Sequence, residues 1–327
     1  MTPPDLTDLQ STMHVVAIPL RVRFRGVTTR EVALVEGPAG WGEFGPFPEY
    51  APPEAARWLA AALEAAWDGW PEPLRGSIPV NATVPAVTPD RVAETIARFP
   101  GATTVKVKVA EPGQALADDL ERVAAVRDVL GAAGSIRVDA NGGWSVGQAR
   151  DALRRLSAYG LDYAEQPCAT VEELAALRRA LAADWTDVRI AADESVRKAE
   201  DPLRVRDLEA ADIIVVKVSP LGGVRAALRV VEECGLPAVV SSALDTSVGI
   251  AAGVALAAAL PELGYACGLG TVALLEGDVT TDPLLPRLGE LPVRTVTPDP
   301  DLLERYAVPP DRRRWWAERV EACAAYL

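Results

Sequence analysis

The chain has 327 residues, 49% of them apolar, and a formal net charge of −13. That much apolar material excludes a disordered chain and suffices for a large core plus a second unit. The negative charge argues against nucleic acid or an anionic membrane as partner, while a bound cation could still reverse the local field for an anionic substrate.

In chain order, Met1-Thr2-Pro3-Pro4-Asp5 lacks the basic start and apolar run of a signal peptide, so a cytoplasmic protein is expected. Val15–Arg25 and Arg30–Glu36 alternate as an antiparallel hairpin does. Gly40-Trp41-Gly42-Glu43-Phe44-Gly45-Pro46 reads as turn, and Pro53 to Trp67 as helix. Short β-rich runs then recur: Val80–Thr83, Thr103–Val109, Ser135–Val138, Asp162–Ala164, Val188–Ala191, Asp212–Val216, Pro237–Ser241 and a weaker Leu263–Cys267. Helical patterns lie between them, at Ala115–Leu130, Ser145–Ala158, Val171–Ala183 and Gly223–Cys234. Ser145 and Thr170 suit N-caps and Gly235 a C-terminal stop.

The residues ending these runs, Asn81, Lys108, Asp139, Glu165, Asp193, Lys217, Ser241 and Cys267, stand 24 to 31 residues apart. That period predicts a parallel (β/α)8-type barrel over residues 79–289. No G-x-G-x-x-G follows the first run, which disfavours a doubly wound sheet. Residues 1–78 are expected to form an α+β capping domain. The Pro-rich stretch after 290 ends in a helix, Asp311–Leu327, and residues 290–327 are expected to return to the cap. The Ala-rich run Val248–Leu260 has 13 residues, short of the ~20 that span a bilayer, and reads as a buried helix.

Chemistry is sought at the C-terminal strand ends of such a barrel. A lone Asp after a strand is ordinarily a turn or cap residue, and Lys-Val-Lys-Val ordinarily a strand with a solvated face. Together they carry more. Asp139, Glu165 and Asp193 end three successive strands, and three carboxylates on one rim repel unless a hard cation joins them; oxygen-only ligands suit Mg²⁺. Lys106 and Lys108 share a face of the second strand, and Lys217 ends the sixth, across the barrel. Such a site suits removal of a proton next to a carboxylate, because a divalent ion stabilises the developing dianion. Lys106 and the cation would disfavour the charged form of Lys108 and so favour a base. With one histidine, His14, and no close pair among Cys168, Cys234, Cys267 and Cys323, imidazole catalysis and zinc knuckles drop out, and the thiols are expected to be buried.

Thr104-Val105-Lys106-Val107-Lys108, Asp139-Ala140-Asn141, Glu165-Gln166-Pro167, Ala192-Asp193-Glu194-Ser195 and Val216-Lys217 together resemble the enolase superfamily, muconate-lactonising-enzyme subgroup. Ser241-Ser242-Ala243-Leu244-Asp245-Thr246-Ser247-Val248-Gly249 and Gly268-Leu269-Gly270-Thr271 are most similar to the o-succinylbenzoate synthase family, of the actinobacterial type. The resemblance implies a modified, enolase-like barrel and dehydration of 2-succinyl-6-hydroxy-2,4-cyclohexadiene-1-carboxylate, a small dicarboxylate, through an enediolate in menaquinone biosynthesis. It implies Lys108 as base and then acid, and Lys217 as a cation over the opposite face. Asp139, Glu165 and Asp193 would hold Mg²⁺, with Mn²⁺ as a substitute. Lys106, Asn141 and Glu194 would support the site, with Ser241, Ser242 and Gly268 near the substrate.

Some segments stay open. Asp245 stands where many relatives have Glu and is given no catalytic role. Arg25-Gly26-Val27-Thr28 and Phe44–Tyr50 fall where the family has substrate-covering loops, and read equally as plain hairpin and turn. Ser219-Pro220-Leu221-Gly222-Gly223 reads as a βα turn or an anion-binding loop. The rival reactions are racemisation of N-succinylamino acids, dipeptide epimerisation and cycloisomerisation. Gly268-Leu269-Gly270 lacks the Asp-x-Asp of dipeptide epimerases. A catalytically dead scaffold sits badly with a complete Lys/carboxylate set.

Overall fold

The computed structural model describes residues 6–24, 26–197 and 202–327; Arg25, of the first covering-loop candidate, lies outside the described residues. Strands β1 (His14–Phe24), β2 (Val27–Gly37) and β3 (Gly40–Phe44) form an antiparallel sheet in that order. The predicted hairpin is β1–β2, but the segment read as turn begins with β3. Gly40, at φ 140°, turns the chain from β2 into β3, and Gly42 serves close packing. A Cβ on Gly42 would lie 2.0 Å from the Ala62 carbonyl oxygen, so only glycine lets helix packing proceed this close. The helices in chain order are α1 (Leu6–Ser11), α2 (Pro52–Leu63), α3 (Val92–Ile96), α4 (Leu116–Leu130), α5 (Val146–Leu156), α6 (Val171–Ala183), α7 (Glu194–Arg197), α8 (Arg204–Asp207), α9 (Val218–Leu221), α10 (Val224–Cys234), α11 (Ser247–Ala259), α12 (Pro300–Arg305) and α13 (Pro310–Ala324). Ala55, Ala56, Trp58, Leu59 and Ala62 of α2 bury against Phe44, Phe47 and Trp316 of α13 in a small core. Glu31 accepts from Trp316 Nε1 at 3.0 Å and Arg312 Nε at 2.7 Å, tying α13 to β2.

The larger sheet is parallel and seven-stranded. It runs β5 (Ala82–Val84), β6 (Thr104–Lys108), β7 (Ser135–Asp139), β8 (Leu161–Glu165), β9 (Ile190–Ala192), β10 (Ile213–Val216), β11 (Ala238–Val240). These short Val/Ile/Ala runs are buried on both faces, as crossover helices require. Single parallel bridges, Ser241 to Gly268 and Cys267 to Val80, close the ring. The eighth run was expected to be a strand and supplies only these bridges. Gly264 adds no packing side chain, and Arg137 takes the Ala266 carbonyl at 2.6 Å, which a ladder would otherwise use. A further antiparallel pair, β4 (Ser77–Pro79) with β12 (Glu290–Pro292), lies at the chain's entry to and exit from the barrel.

The helix signals act as read. Ser145 Oγ accepts from Gln148 N at 3.4 Å and Thr170 Oγ1 from Glu173 N at 3.2 Å, each with the reciprocal bond of a capping box. Gly235 closes α10 at φ 64°. α11 is buried along almost its whole length, and all four cysteines are buried thiols. Among the described residues no helix is long and apolar enough to cross a membrane. The Ser219–Gly223 segment folds as α9 and the turn into α10. The residues just after it meet an internal anion: the Glu64 carboxylate accepts from Val224 N, and from Arg225 N at 3.1 Å, at the start of α10.

Candidate active site

The strand register lines up the chemistry. Lys108 pairs with Asp139, Asp139 with Glu165, and Glu165 with Ala191, two residues before Asp193. Lys217 directly follows β10. Period-two alternation turns Lys106 and Lys108 of β6 to one face. Asp139, Glu165 and Asp193 are at most 1% exposed, and Lys106 and Lys217 are buried too.

Each carboxylate is held by an amine. Lys106 Nζ lies 2.8 Å from Glu165 Oε1 and 3.1 Å from Asp139 Oδ2. Lys108 Nζ donates to Asp139 Oδ2 and to Asn141 Oδ1, both at 2.6 Å. Lys217 Nζ donates to Asp193 Oδ2 at 2.5 Å. Asn141 Nδ2 reaches Glu194 Oε1 at 3.3 Å. Phe24, from the hairpin of the small sheet, puts its ring 5.2 Å from Lys108 Nζ, within cation–π range.

Burial opposes the charge on Asp139, but Lys108 and then Lys106 outweigh it and hold its carboxyl well below the usual range. Glu165 goes the other way: burial, and then the Asp139 charge, push it up to about 7. Burial disfavours the Lys106 ammonium, yet Glu165 and Asp139 more than offset this and hold its pKa well above the ordinary lysine value. Glu165 therefore sits among carboxylates with less positive charge than it needs.

That shortage, with three buried oxygen donors and no nitrogen or sulfur donor, suits a hard divalent cation. The oxygens are not gathered into a cage in this conformation: among the described residues no three Asp, Glu, His or Cys side chains stand ready to hold an ion. The ammonium groups occupy the carboxylates instead.

Lys106, Lys108, Asp139, Asn141, Lys217, Ser241, Ser242 and Gly268 line one cavity. Glu165 and Asp193 lie behind it, reached through Lys106 and Lys217, and Glu194 is reached through Asn141. The cavity also takes Phe24, Thr83, Ala243, Leu244 and Thr271, which sequence reasoning did not single out as site residues. Thr83 had a signal: it ends the β-rich run Val80–Thr83, and chemistry is sought at strand ends. Reading Asn81 as the end of its strand concealed it, since β5 runs on to Val84. Phe24 arrives from another sheet, and its one signal was its place directly before Arg25-Gly26-Val27-Thr28, the first covering-loop candidate. Thr271 Oγ1 is 2.7 Å from Ser242 Oγ, joining the loops after β11 and the closing bridges. The cavity has about 30 Å³ of free space, enough for a few waters at most, so side chains must move to admit an organic substrate. Asn141, Gln166 and Leu244 each adopt positive φ, at 46°, 39° and 63°. These unfavourable conformations follow three strand ends of the site, where strain commonly collects.

A family model described as "Enolase C-terminal domain-like" matches residues 90–298, and one described as "Enolase N-terminal domain-like" matches residues 15–66. The chain is 58% identical over 325 residues to the o-succinylbenzoate synthase of Mycobacterium leprae, covering 99% of this chain and 95% of that one. It is 59% identical over 325 residues to that of Mycolicibacterium smegmatis, covering 99% and 98%. Among solved structures, the muconate lactonizing enzyme from Pseudomonas putida matches with a TM-score of 0.73 at 21% identity, covering 90% of this chain and 98% of that one. An N-succinyl Arg/Lys racemase from Bacillus cereus matches at 0.74 and 20%, covering 91% and 97%. These two establish likeness of fold only. The chain belongs to the enolase superfamily and, within it, to the o-succinylbenzoate synthase family.

Proposed function

We propose that this chain carries out the o-succinylbenzoate synthase reaction, a syn dehydration of 2-succinyl-6-hydroxy-2,4-cyclohexadiene-1-carboxylate that serves menaquinone biosynthesis. The observation that carries the reading is that Lys108 and Lys217 line one cavity from β6 and β10, each bonded to a buried carboxylate. Asp139, Glu165 and Asp193 would hold Mg²⁺, or Mn²⁺ in its place. Once bound, the ion supplies positive charge against the negative charge that develops on the substrate carboxylate.

The chain's own residues do the rest. For those carboxylates to hold the ion, Lys106, Lys108 and Lys217 would have to give up their bonds to them, and Lys108 would release its proton to solvent. Lys108, then neutral, takes the ring proton next to the carboxylate, and its ammonium protonates the departing hydroxyl on the same face. Lys217 stays cationic and stabilises the anionic intermediate from the other face, with a cation–π contribution as the ring becomes aromatic. Asn141, which receives Lys108 Nζ and reaches Glu194, keeps that amine aimed at the cavity.

The same two lysines favour one second reading, racemisation of N-succinylamino acids with Lys108 and Lys217 as bases on opposite faces. The test is Lys217→Arg, assayed on both substrates with Mg²⁺ and with chelator. Arginine keeps the charge but does not release a proton. Dehydration should survive in part, racemisation should vanish, and chelator should stop wild-type turnover. Wild-type racemisation as fast as dehydration would overturn the assignment.

A further inference from the structure

The small sheet reaches the site through one buried cation. Arg30, on β2, is 3% exposed. Its Nε donates to the Leu244 carbonyl at 3.1 Å, its Nη2 to the Gly45 carbonyl, and its Nη1 to the Glu31 carbonyl at 3.2 Å. Its guanidinium lies 4.6 Å from the centre of the Phe47 ring. Leu244 is a cavity-wall residue in the same lining as Lys108 and Lys217. It holds φ 63° while 2% exposed, a conformation that a non-glycine residue keeps only when its surroundings impose it.

Those surroundings come from the small sheet. Asp245 Oδ2 accepts from Ala243 N at 2.9 Å on one side of Leu244. On the other, Glu43 of β3 accepts from Thr246 N and Gly249 N, both at 3.1 Å, at the start of α11. Arg30 lies close enough to both carboxylates to favour their charged forms. A guanidinium is the one side chain that can hold the Leu244 and Gly45 carbonyls in fixed directions while facing two acids; an ammonium has no planar fork. Gly45 makes room for it, since a Cβ there would come within 2.7 Å of Nη2 and equally close to Cγ1 of the buried Val32.

We propose that Arg30 is a positioning residue for the dehydration: by clamping the Leu244 carbonyl it sets the apolar wall of the catalytic cavity, and so couples the seating of the small sheet to substrate binding. The proposal rests on the o-succinylbenzoate synthase reading. The Leu244 side chain is apolar and transfers no proton, so loss of the clamp removes binding shared by ground and transition states. It raises KM and spares kcat.

The test compares Arg30→Lys, Gly45→Ala and Glu43→Gln with wild type, measuring kcat, KM, thermal midpoint and amide exchange of residues 243–246. Arg30→Lys should raise KM about tenfold with kcat within about threefold, and speed exchange at residues 243–246. Gly45→Ala, which displaces Nη2 but leaves the charge, should do the same and serves if Arg30→Lys fails to fold. Glu43→Gln keeps an acceptor oxygen for Thr246 N and Gly249 N and does not touch the Leu244 carbonyl, so it should leave KM within about twofold. Unchanged KM and exchange in Gly45→Ala, or an equal KM rise in Glu43→Gln, would overturn the proposal. Wild-type protein without dehydratase activity would instead defeat the function reading, and the exchange comparison would still decide whether Arg30 orders the wall.

Discussion

Arg137 and Asp139 stand two residues apart on β7 and face the same barrel interior, yet they belong to opposite kinds of charge cluster. At the N-terminal end, Arg137 donates to Asp162 at 3.0 Å and to Ala266 at 2.6 Å and lies 4.7 Å from the Tyr163 ring centre. Arg189 holds the other Asp162 oxygen at 2.5 Å and the Tyr265 hydroxyl at 2.8 Å. The cations there are guanidiniums, which keep their protons and are locked by forks and rings. At the C-terminal end the cations that line the cavity are lysines, each bonding through one nitrogen, and the carboxylates crowd one another. One end of the lumen is bonded to stay, and the other is arranged to exchange partners and protons.

The largest effect should come from removing the amine that faces the cavity. Lys108→Ala should lower turnover by about 10⁴-fold, the upper range for a general acid–base group. Its thermal midpoint should stay within a few degrees, because the neighbouring Lys106 still neutralises Asp139. Turnover reduced less than tenfold would move the base elsewhere.

At the other end the signs reverse. Arg137→Met strips Asp162 of one of its two guanidiniums and leaves the Ala266 carbonyl bare. It should cost about 3 kcal/mol of stability in urea unfolding, with kcat within a few-fold of wild type. Lost activity at undiminished stability would erase the distinction between the two ends.

Much of this was legible in the sequence because strand ends recur with a period and because lysines two apart on a strand share a face. Lys108, Asp139, Glu165, Asp193 and Lys217 needed no more than that to be placed at or next to strand ends. The rest depended on contacts between distant segments. Phe24 and Arg30 come from another sheet, so no spacing within the barrel points to them. β3 looked like a turn because Gly40 does serve the chain reversal from β2, while Gly42 answers to α2. The eighth strand dissolved because Arg137 takes its carbonyl. The Gly222-Gly223 turn does meet an anion, but Glu64 is more than 150 residues away in the chain. Lysine–carboxylate pairing across strands was equally invisible, since register is set by the packed barrel.

The seam between small sheet and barrel combines both behaviours, and pH separates them. Glu43 accepts satisfied bonds from Thr246 and Gly249, as the arginine end would have it, but faces Asp245, as carboxylates do at the lysine end. Burial first, and the Asp245 charge second, push Glu43 up to about 8. Asp245 is raised too, by burial, with Arg30 and Lys217 opposing. A carboxyl whose folded pKa exceeds its ordinary value binds its proton more tightly when folded. Its contribution to stability is whole below the ordinary value of 4.5 and is lost as pH rises through about 8. Glu43→Gln, a permanent mimic of the protonated form, removes that dependence. Wild-type stability minus that of Glu43→Gln should therefore fall from pH 5 to pH 8.5, by at most about 1.4 kcal/mol per pH unit. Paired urea titrations across that window measure it. A difference that stays level or grows would mean that the donors on Thr246 and Gly249, with Arg30, keep Glu43 ionised throughout, and the seam would then belong with the arginine end.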